Sequence, residues 1–257
     1  MTALADLSHL AAPTSGAEPL ETWTAYRSII DTHVDNQPRS LQARIGPSEL
    51  GVSCDACLIS KLAGIPEHRS PGTSWLPFVG TAVHEQLQNI FVAQNTGPQA
   101  RFLTELTVSV GEVAGVDITG HVDLYDVATG EVTDWKVTGV TTLRKVRKDG
   151  PSPLYRVQGH LYGRGVTRRG LPVTRVRVAY LPRNAVSLTD AEIWDEPYDE
   201  QVALAALARA DRFATWIGAF GADALLSTAV HTGAEFSCSR FETPAHIEPV
   251  AHNALAL

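Results

Sequence analysis

Cysteine is scarce, with three in 257 residues. An odd number leaves no complete disulfide framework and suits a reducing compartment. Long apolar runs are missing as well. No stretch approaches the roughly 18 consecutive apolar residues of a membrane-spanning helix, so no membrane partner is expected. The opening residues, MTALADLSHLAAPTSGAEPLE, have no basic segment ahead of an apolar block, which argues against a secretory signal. Residues 1–19 read as a loose leader, and the chain as cytoplasmic. Positive charge is also in deficit, with 21 Lys and Arg against 28 Asp and Glu and a net charge of −7. Taken alone, that balance speaks against a polyanion as partner. The deficit is uneven, however. From Thr138 to Thr189 there are eleven Lys or Arg and a single acid, so this block carries +10 and the remainder −17. A basic block of this kind is where contacts to a polyanion would concentrate.

What is present describes a globular protein, 44% hydrophobic and 19% charged, with enough chain for a sizeable core. Leu20–Val34 reads as a helix with Trp23, Tyr26, Ile29 and Ile30 on one face. Ile45–Glu67 begins with a helix-start signal at Ser48 and Glu49, and Pro and Gly punctuate the loop that follows. Phe78–Asn95 is the strongest helical pattern, with Val79, Val83, Leu87, Ile90 and Phe91 in one stripe. Phe102–Val110 reads as a strand that carries Glu105, either a supporting acid for a nearby site or, as preferred, a strand-surface acid. Leu143–Pro153 reads as a basic loop, Tyr155–Gly165 as a short helix despite its glycines, and Pro172–Leu181 as a strand. An acidic link, Asp190–Glu200, leads to a long helix, Glu200–Ala219, and the residues beyond Gly233 read as a loose tail. The order implies an α/β domain over residues 20–230, a central mixed β-sheet flanked by helices, with 231–257 as a tail.

The chemically loaded stretch is Ile118–Val137. It reads as two strands, Ile118–Asp126 and Glu131–Val137, around a tight turn in which Gly130 takes positive φ. Pairing Asp126 with Glu131 places Asp123 opposite Asp134 and His121 opposite Lys136 on one sheet face. Opposed carboxylates about 4.5–5.5 Å apart at Cβ repel each other, and a cation between them relieves the repulsion. A solvated, charged hairpin is the plain alternative.

In chain order the polar features are Gly80-Thr81-x-x-His84-Glu85, Glu105, Gly120-x-x-Asp123, Asp134-x-Lys136 and Gln158-x-x-x-Tyr162. Over roughly Ser48 to Leu181 this series resembles the RecB-type branch of the PD-(D/E)XK nucleases, close to CRISPR-associated iron–sulfur exonucleases and phage exonucleases. The resemblance implies a restriction-endonuclease-like core and a metal-dependent DNA exonuclease acting on ends or single strands. It also implies a bacterial or phage-infected cytoplasm, and a recombination or replication protein as partner. His84, Asp123, Asp134 and the Trp135 carbonyl would hold Mg²⁺ or Mn²⁺. Lys136, Gln158 and Tyr162 would act on the nucleophile and the scissile phosphate. Arg144, Lys145, Arg147, Lys148, Arg156, Arg164, Arg168 and Arg169 are the candidates for DNA-backbone contacts.

Relatives of this type that carry a [4Fe–4S] cluster use one cysteine before the histidine motif and three near the C-terminus. Here Cys54 and Cys57 precede His84 and only Cys238 follows the core, so a cluster would need another ligand, for example His231 or His246. Zinc meets the same shortage, and buried hydrophobic cysteines are the alternative. A structure-selective endonuclease and a noncatalytic DNA-binding module on a nuclease fold are the rival functions.

Overall fold

A computed structural model describes residues 19–36, 45–67, 75–233, 238 and 241. The expected leader and most of the tail, His246 included, lie outside the described residues. Contacts divide the chain into two units, Met1–Leu41 and Gln42–Leu257. In the first, α1 spans Pro19–Asp35. Its expected apolar face, Trp23, Tyr26, Ile29 and Ile30, is exposed.

The second unit is built on a five-stranded mixed sheet whose strands lie in sequence order. Strands β1 (Phe102–Val113), β2 (Val116–Asp126) and β3 (Glu131–Thr138) form an antiparallel meander. β4 (Arg175–Pro182) joins β3 in parallel, and β5 (Glu192–Pro197) returns antiparallel to β4. A parallel step needs a crossover, and two helices supply it. These are α5 (Val140–Asp149) and α6 (Pro153–Arg168). Before the sheet come α2 (Pro47–Leu50), α3 (Asp55–Leu62) and α4 (Trp75–Ala93). After it come α7 (Glu200–Phe220) and α8 (Ala222–Leu226). The α/β class, with helices flanking a mixed sheet, is as expected from the sequence.

Three elements differ from expectation. The basic loop is the helix α5, because Val140, Leu143 and Val146 recur at helical spacing between Gly139 and Gly150, and Leu143 is buried. The acidic link contains a strand, β5, where the carboxylates of Glu192, Asp195 and Glu196 meet arginines. On α4, Val79, Val83, Leu87 and Phe91 are half-buried as the stripe requires, but Ile90 is 55% exposed.

The core cluster gathers Val108, Val110, Val122, Tyr125, Val132 and Val176 of the sheet with Leu161 and Val166 of α6, and Ala203, Leu207 and Phe213 of α7. Glycine fits the middle of α6 for a steric reason. A Cβ at Gly165 would lie 2.5 Å from Val108 Cγ2, so its absence lets the helix settle on the sheet. Gly165→Ala is expected to lower stability by about 1–2 kcal/mol. Overpacking costs roughly 1–3 kcal/mol, which outweighs the helix-propensity gain of about 1 kcal/mol. Gly80 on α4, with nothing within 4 Å of an added Cβ, should by contrast gain stability as alanine. Denaturant midpoints of the two variants test the contrast, and a loss in both would contradict it.

Candidate metal centre

The hairpin register is the one read from the sequence. Asp126 pairs with Glu131, Tyr125 with Val132 and Leu124 with Thr133. The ladder then stops, and β2 and β3 part where Asp123 and Asp134 stand. At this point the Asp123 side chain stands in for a strand neighbour, its Oδ2 accepting the Trp135 N–H at 2.7 Å. The expected meeting of His121 with Lys136 is not part of the ladder. His121 is exposed and lies 3.3 Å from Thr107 Oγ1 of β1, because pairing between β2 and β3 has ended before it.

The helix α4 brings His84 to the gap, with Nδ1 3.4 Å from Asp123 Oδ1. Glu105 arrives from the other side. One donor atom from each of His84, Glu105 and Asp123 lies within 4.8 Å of the others. The sequence leaves Glu105 between a supporting acid and a strand-surface acid and favours the latter, whereas the structure puts it in this group. β1 pairs Thr104 with Leu124 and Leu106 with Val122, so Glu105 lies across from Asp123. Its backbone is left-handed, φ +48°, a costly conformation for a residue with a Cβ and one that tends to persist at functional sites. An acid between Thr104 and Leu106 in the strand is the signal the sequence offers, but it gains meaning only from the β1–β2 register.

Asp134 stands beside this group and not within it. It is buried, and Lys136 Nζ lies 2.7 Å from its Oδ2 without hydrogen-bond geometry. Burial pushes the Asp134 carboxyl up to about 6, with Asp123 adding to the rise and Lys136 and His84 opposing it. Burial works against the Lys136 ammonium, yet Asp134 and Asp123 outweigh it and raise the group. The ammonium also sits 4.7 Å from the centre of the Tyr155 ring. Burial opposes the His84 imidazolium too, but Asp123 and then Asp134 raise it. Trp135 sends its ring away from the carboxylates, stacking on Phe91 of α4 at 5.7 Å.

Gln158 and Tyr162 face one another on α6, with Gln158 Nε2 donating to the Tyr162 hydroxyl at 3.1 Å. Gln158 is buried, and its Oε1 has no hydrogen-bond partner. The glycine of Gly120-x-x-Asp123 has a steric role here. A Cβ on it would come within 2.9 Å of Tyr162 Cε1 and 2.8 Å of Pro47 Cγ.

The basic residues do not form one free track. Arg147 pairs with Glu192, Arg156 with Glu196 and Arg164 with Glu200, while Arg169 donates to the Thr107 carbonyl at 2.7 Å. The acids that neutralise them come from β5, where the sequence suggested only a link, and from Glu200 at the start of the expected helix α7. Arg144, Lys145, Lys148 and Arg168 are exposed and make no ion pair among the described residues. Three of these four lie on α5, which starts four positions after Lys136. Cys54, Cys57 and Cys238 come together, buried and unbridged, and His231 joins them.

The shifts at Asp134 and His84 set a pH dependence. Asp134 titrates at about 6 in the fold against an ordinary 3.8, so the native state keeps a proton that the unfolded chain has lost. Stability therefore falls as pH rises through that window. The raised His84 contributes stability below its ordinary 6.5, and this is lost as pH rises through its higher folded value. Both act in the same direction, so the metal-free protein should melt higher near about pH 5 than near about pH 8. A divalent ion bound here would compete with protons for these groups, so a rise in Tm on adding Mn²⁺ should grow with pH. Thermal scans with and without Mn²⁺ test this, and an ion-induced shift that shrinks with pH would contradict it.

Among the described residues no helix is long and apolar enough to cross a membrane. No protein-family model matches the chain, and no curated protein matches it. Solved structures similar to it include the alkaline exonuclease LHK-Exo from Laribacter hongkongensis, at 12% identity and TM-score 0.41, covering 69% of this chain and 93% of that one. LHK-Exo in complex with dAMP matches at 13% identity and TM-score 0.39, covering 70% and 93%. A protein from Eubacterium rectale described as a candidate exonuclease matches at 15% identity and TM-score 0.45, covering 84% and 94%.

Proposed function

We propose that this chain is a metal-dependent deoxyribonuclease of the RecB-type PD-(D/E)XK kind, with a restriction-endonuclease-like core, that hydrolyses phosphodiester bonds at DNA ends or in single strands. One observation carries the reading. His84, Glu105 and Asp123 converge within 4.8 Å where two strands part, beside the buried Asp134–Lys136 pair. A structural network alone gains little from this arrangement, because it crowds carboxylates that repel one another.

The donor set fits a hard divalent ion. It consists of carboxylate oxygens and one imidazole, with no sulfur, as suits Mg²⁺ or Mn²⁺. Asp134, buried and paired with Lys136, adds a further carboxylate beside this group. His84, Glu105 and Asp123 would hold the ion, with Asp134 and the Trp135 carbonyl adjoining. When bound, it would lower the pKa of a water and neutralise charge on the phosphoryl oxygens.

The chain's own groups do the rest. Lys136 keeps its proton, because two carboxylates favour the ammonium, so it acts as a fixed positive charge on the reacting phosphate and not as a resting base. Gln158 is held by Tyr162, and its buried carbonyl oxygen, without a hydrogen-bond partner, would be an acceptor that helps to orient the nucleophile. Arg144, Lys145 and Lys148 on α5, with Arg168, would contact the DNA backbone and give affinity without sequence preference. A recombination or replication protein, in a bacterial or phage-infected cytoplasm, is the matching partner.

The test uses end-labelled linear DNA and covalently closed circular DNA, with and without Mn²⁺. Linear DNA should be degraded from its ends only with the ion present, and the circle should survive. Cutting of the circle would make the protein an endonuclease, and no degradation of either would remove the proposal. Charge reversal at Arg144, Lys145 and Lys148 should weaken binding and reduce the salt slope by about one for each phosphate no longer neutralised. Reversal at Arg147, already paired with Glu192, should do less.

A further inference from the structure

A second group of ligand atoms lies away from the carboxylates. Cys54 and Cys57 flank the start of α3, while His231 and Cys238 come from the chain beyond α8. All four are buried, with exposures of 0%, 3%, 7% and 8% in that order. One ligand atom from each lies within 4.8 Å of the others. Cys54 Sγ is 3.5 Å from His231 Nδ1, and Cys57 Sγ is 3.6 Å from Cys238 Sγ.

The geometry points to a single structural Zn²⁺ held by three thiolates and one imidazole. A tetrahedral ion with arms of about 2.3 Å to sulfur and 2.0–2.1 Å to nitrogen sets its ligand atoms about 3.5–3.8 Å apart. The Cys54–His231 and Cys57–Cys238 pairs already match that spacing. The cysteines are unbridged, with Cys57 and Cys238 sulfurs 3.6 Å apart where a disulfide would hold them at about 2.05 Å. An iron–sulfur cubane is a poorer fit, since each thiolate binds a different iron and the sulfurs are spread around the cluster. Cys54-x-x-Cys57 is a spacing common in structural zinc sites.

The surroundings also suit a closed site. The Ala56 N–H donates to the Val230 carbonyl at 3.2 Å, which ties the two ligand-bearing segments together. The Thr232 hydroxyl lies 3.7 Å from Cys238 Sγ, where it can donate to a thiolate. With four protein ligands and little exposure, no position is left for a substrate, so the ion's role is to staple the end of the chain to α3. On binding, the three thiol protons pass to solvent, leaving a centre of net charge −1.

Full-length protein, purified without chelator, should contain one zinc per chain by elemental analysis and show no visible absorbance. After the metal is stripped, Tm should fall. Co²⁺ added in place of zinc should give the intense visible bands of tetrahedral thiolate coordination. His231→Cys should keep the stoichiometry, whereas Cys57→Ser and Cys238→Ser should lose most of the metal. Asp123→Ala should leave the zinc in place while removing Mn²⁺-dependent effects, which separates this site from the carboxylate centre. Iron with inorganic sulfide, a Cys57–Cys238 disulfide, or metal-free protein with three titratable thiols would each overturn the assignment.

Discussion

Asp123→Ala should reduce divalent-ion-dependent degradation of DNA by about 10³-fold or more while DNA is still bound. The size follows from what is lost: several kcal/mol of charge stabilisation by a metal, at about 1.36 kcal/mol per tenfold in rate. Asp123 is the residue that joins the parts. One carboxylate oxygen meets His84 at 3.4 Å, and the other accepts the Trp135 N–H at 2.7 Å. Alanine also leaves that N–H without its partner, a cost of about 1–3 kcal/mol in stability. Asp123→Asn separates the two effects, because its amide oxygen can still accept the bond while its charge is gone. Asn should therefore keep most of the stability and lose the activity. Glu105→Gln should be milder, raising the Mn²⁺ concentration needed for half-maximal rate about 10–100-fold. Full activity in Asp123→Asn at low Mn²⁺ would sink the metal centre.

The contrast between Asp123 and Glu105 shows what a sequence can disclose here. The β2–β3 hairpin is local. A tight turn fixes the register as far as Leu124 and Thr133, as alternation predicts, but the ladder ends before the expected pairing of Asp123 with Asp134, and Asp134 stands outside the ligand group. Glu105 acquires its role through the pairing of β1 with β2 and a left-handed backbone, neither of which residue types announce. The basic block fails as a single surface for a related reason. Its charges are countable, but their partners Glu192, Glu196 and Glu200 arrive through β5 and the start of α7. The glycines of α6 weaken a helix by propensity and are explained only by the sheet beneath them, where a Cβ at Gly165 would strike Val108. His231 can be named as a candidate ligand from the sequence. Its meeting with Cys54 depends on how the end of the chain returns to α3.

Lys136→Met should lower the rate by about 10²–10³-fold without abolishing the Mn²⁺ dependence, since a fixed positive charge is removed and the proposed metal ligands remain. Its second effect is on Asp134. The lysine is the nearest counter-charge to a buried carboxylate, at 2.7 Å, and opposes the burial that already holds that group at about 6. Without it, Asp134 should keep its proton to higher pH. The variant should then be nearly as stable as the parent near about pH 5, where a neutral carboxyl needs no partner, and fall behind as pH rises and the burial of an unpaired charge takes effect. Residual activity should likewise climb more steeply with pH than in the parent. Lys136→Arg should not restore the rate, because the broad guanidinium fork cannot take the place of a compact ammonium beside Tyr155 and Asp134. A stability deficit independent of pH would mean that Lys136 acts mainly through packing, and full activity in Lys136→Met would remove it from the chemistry.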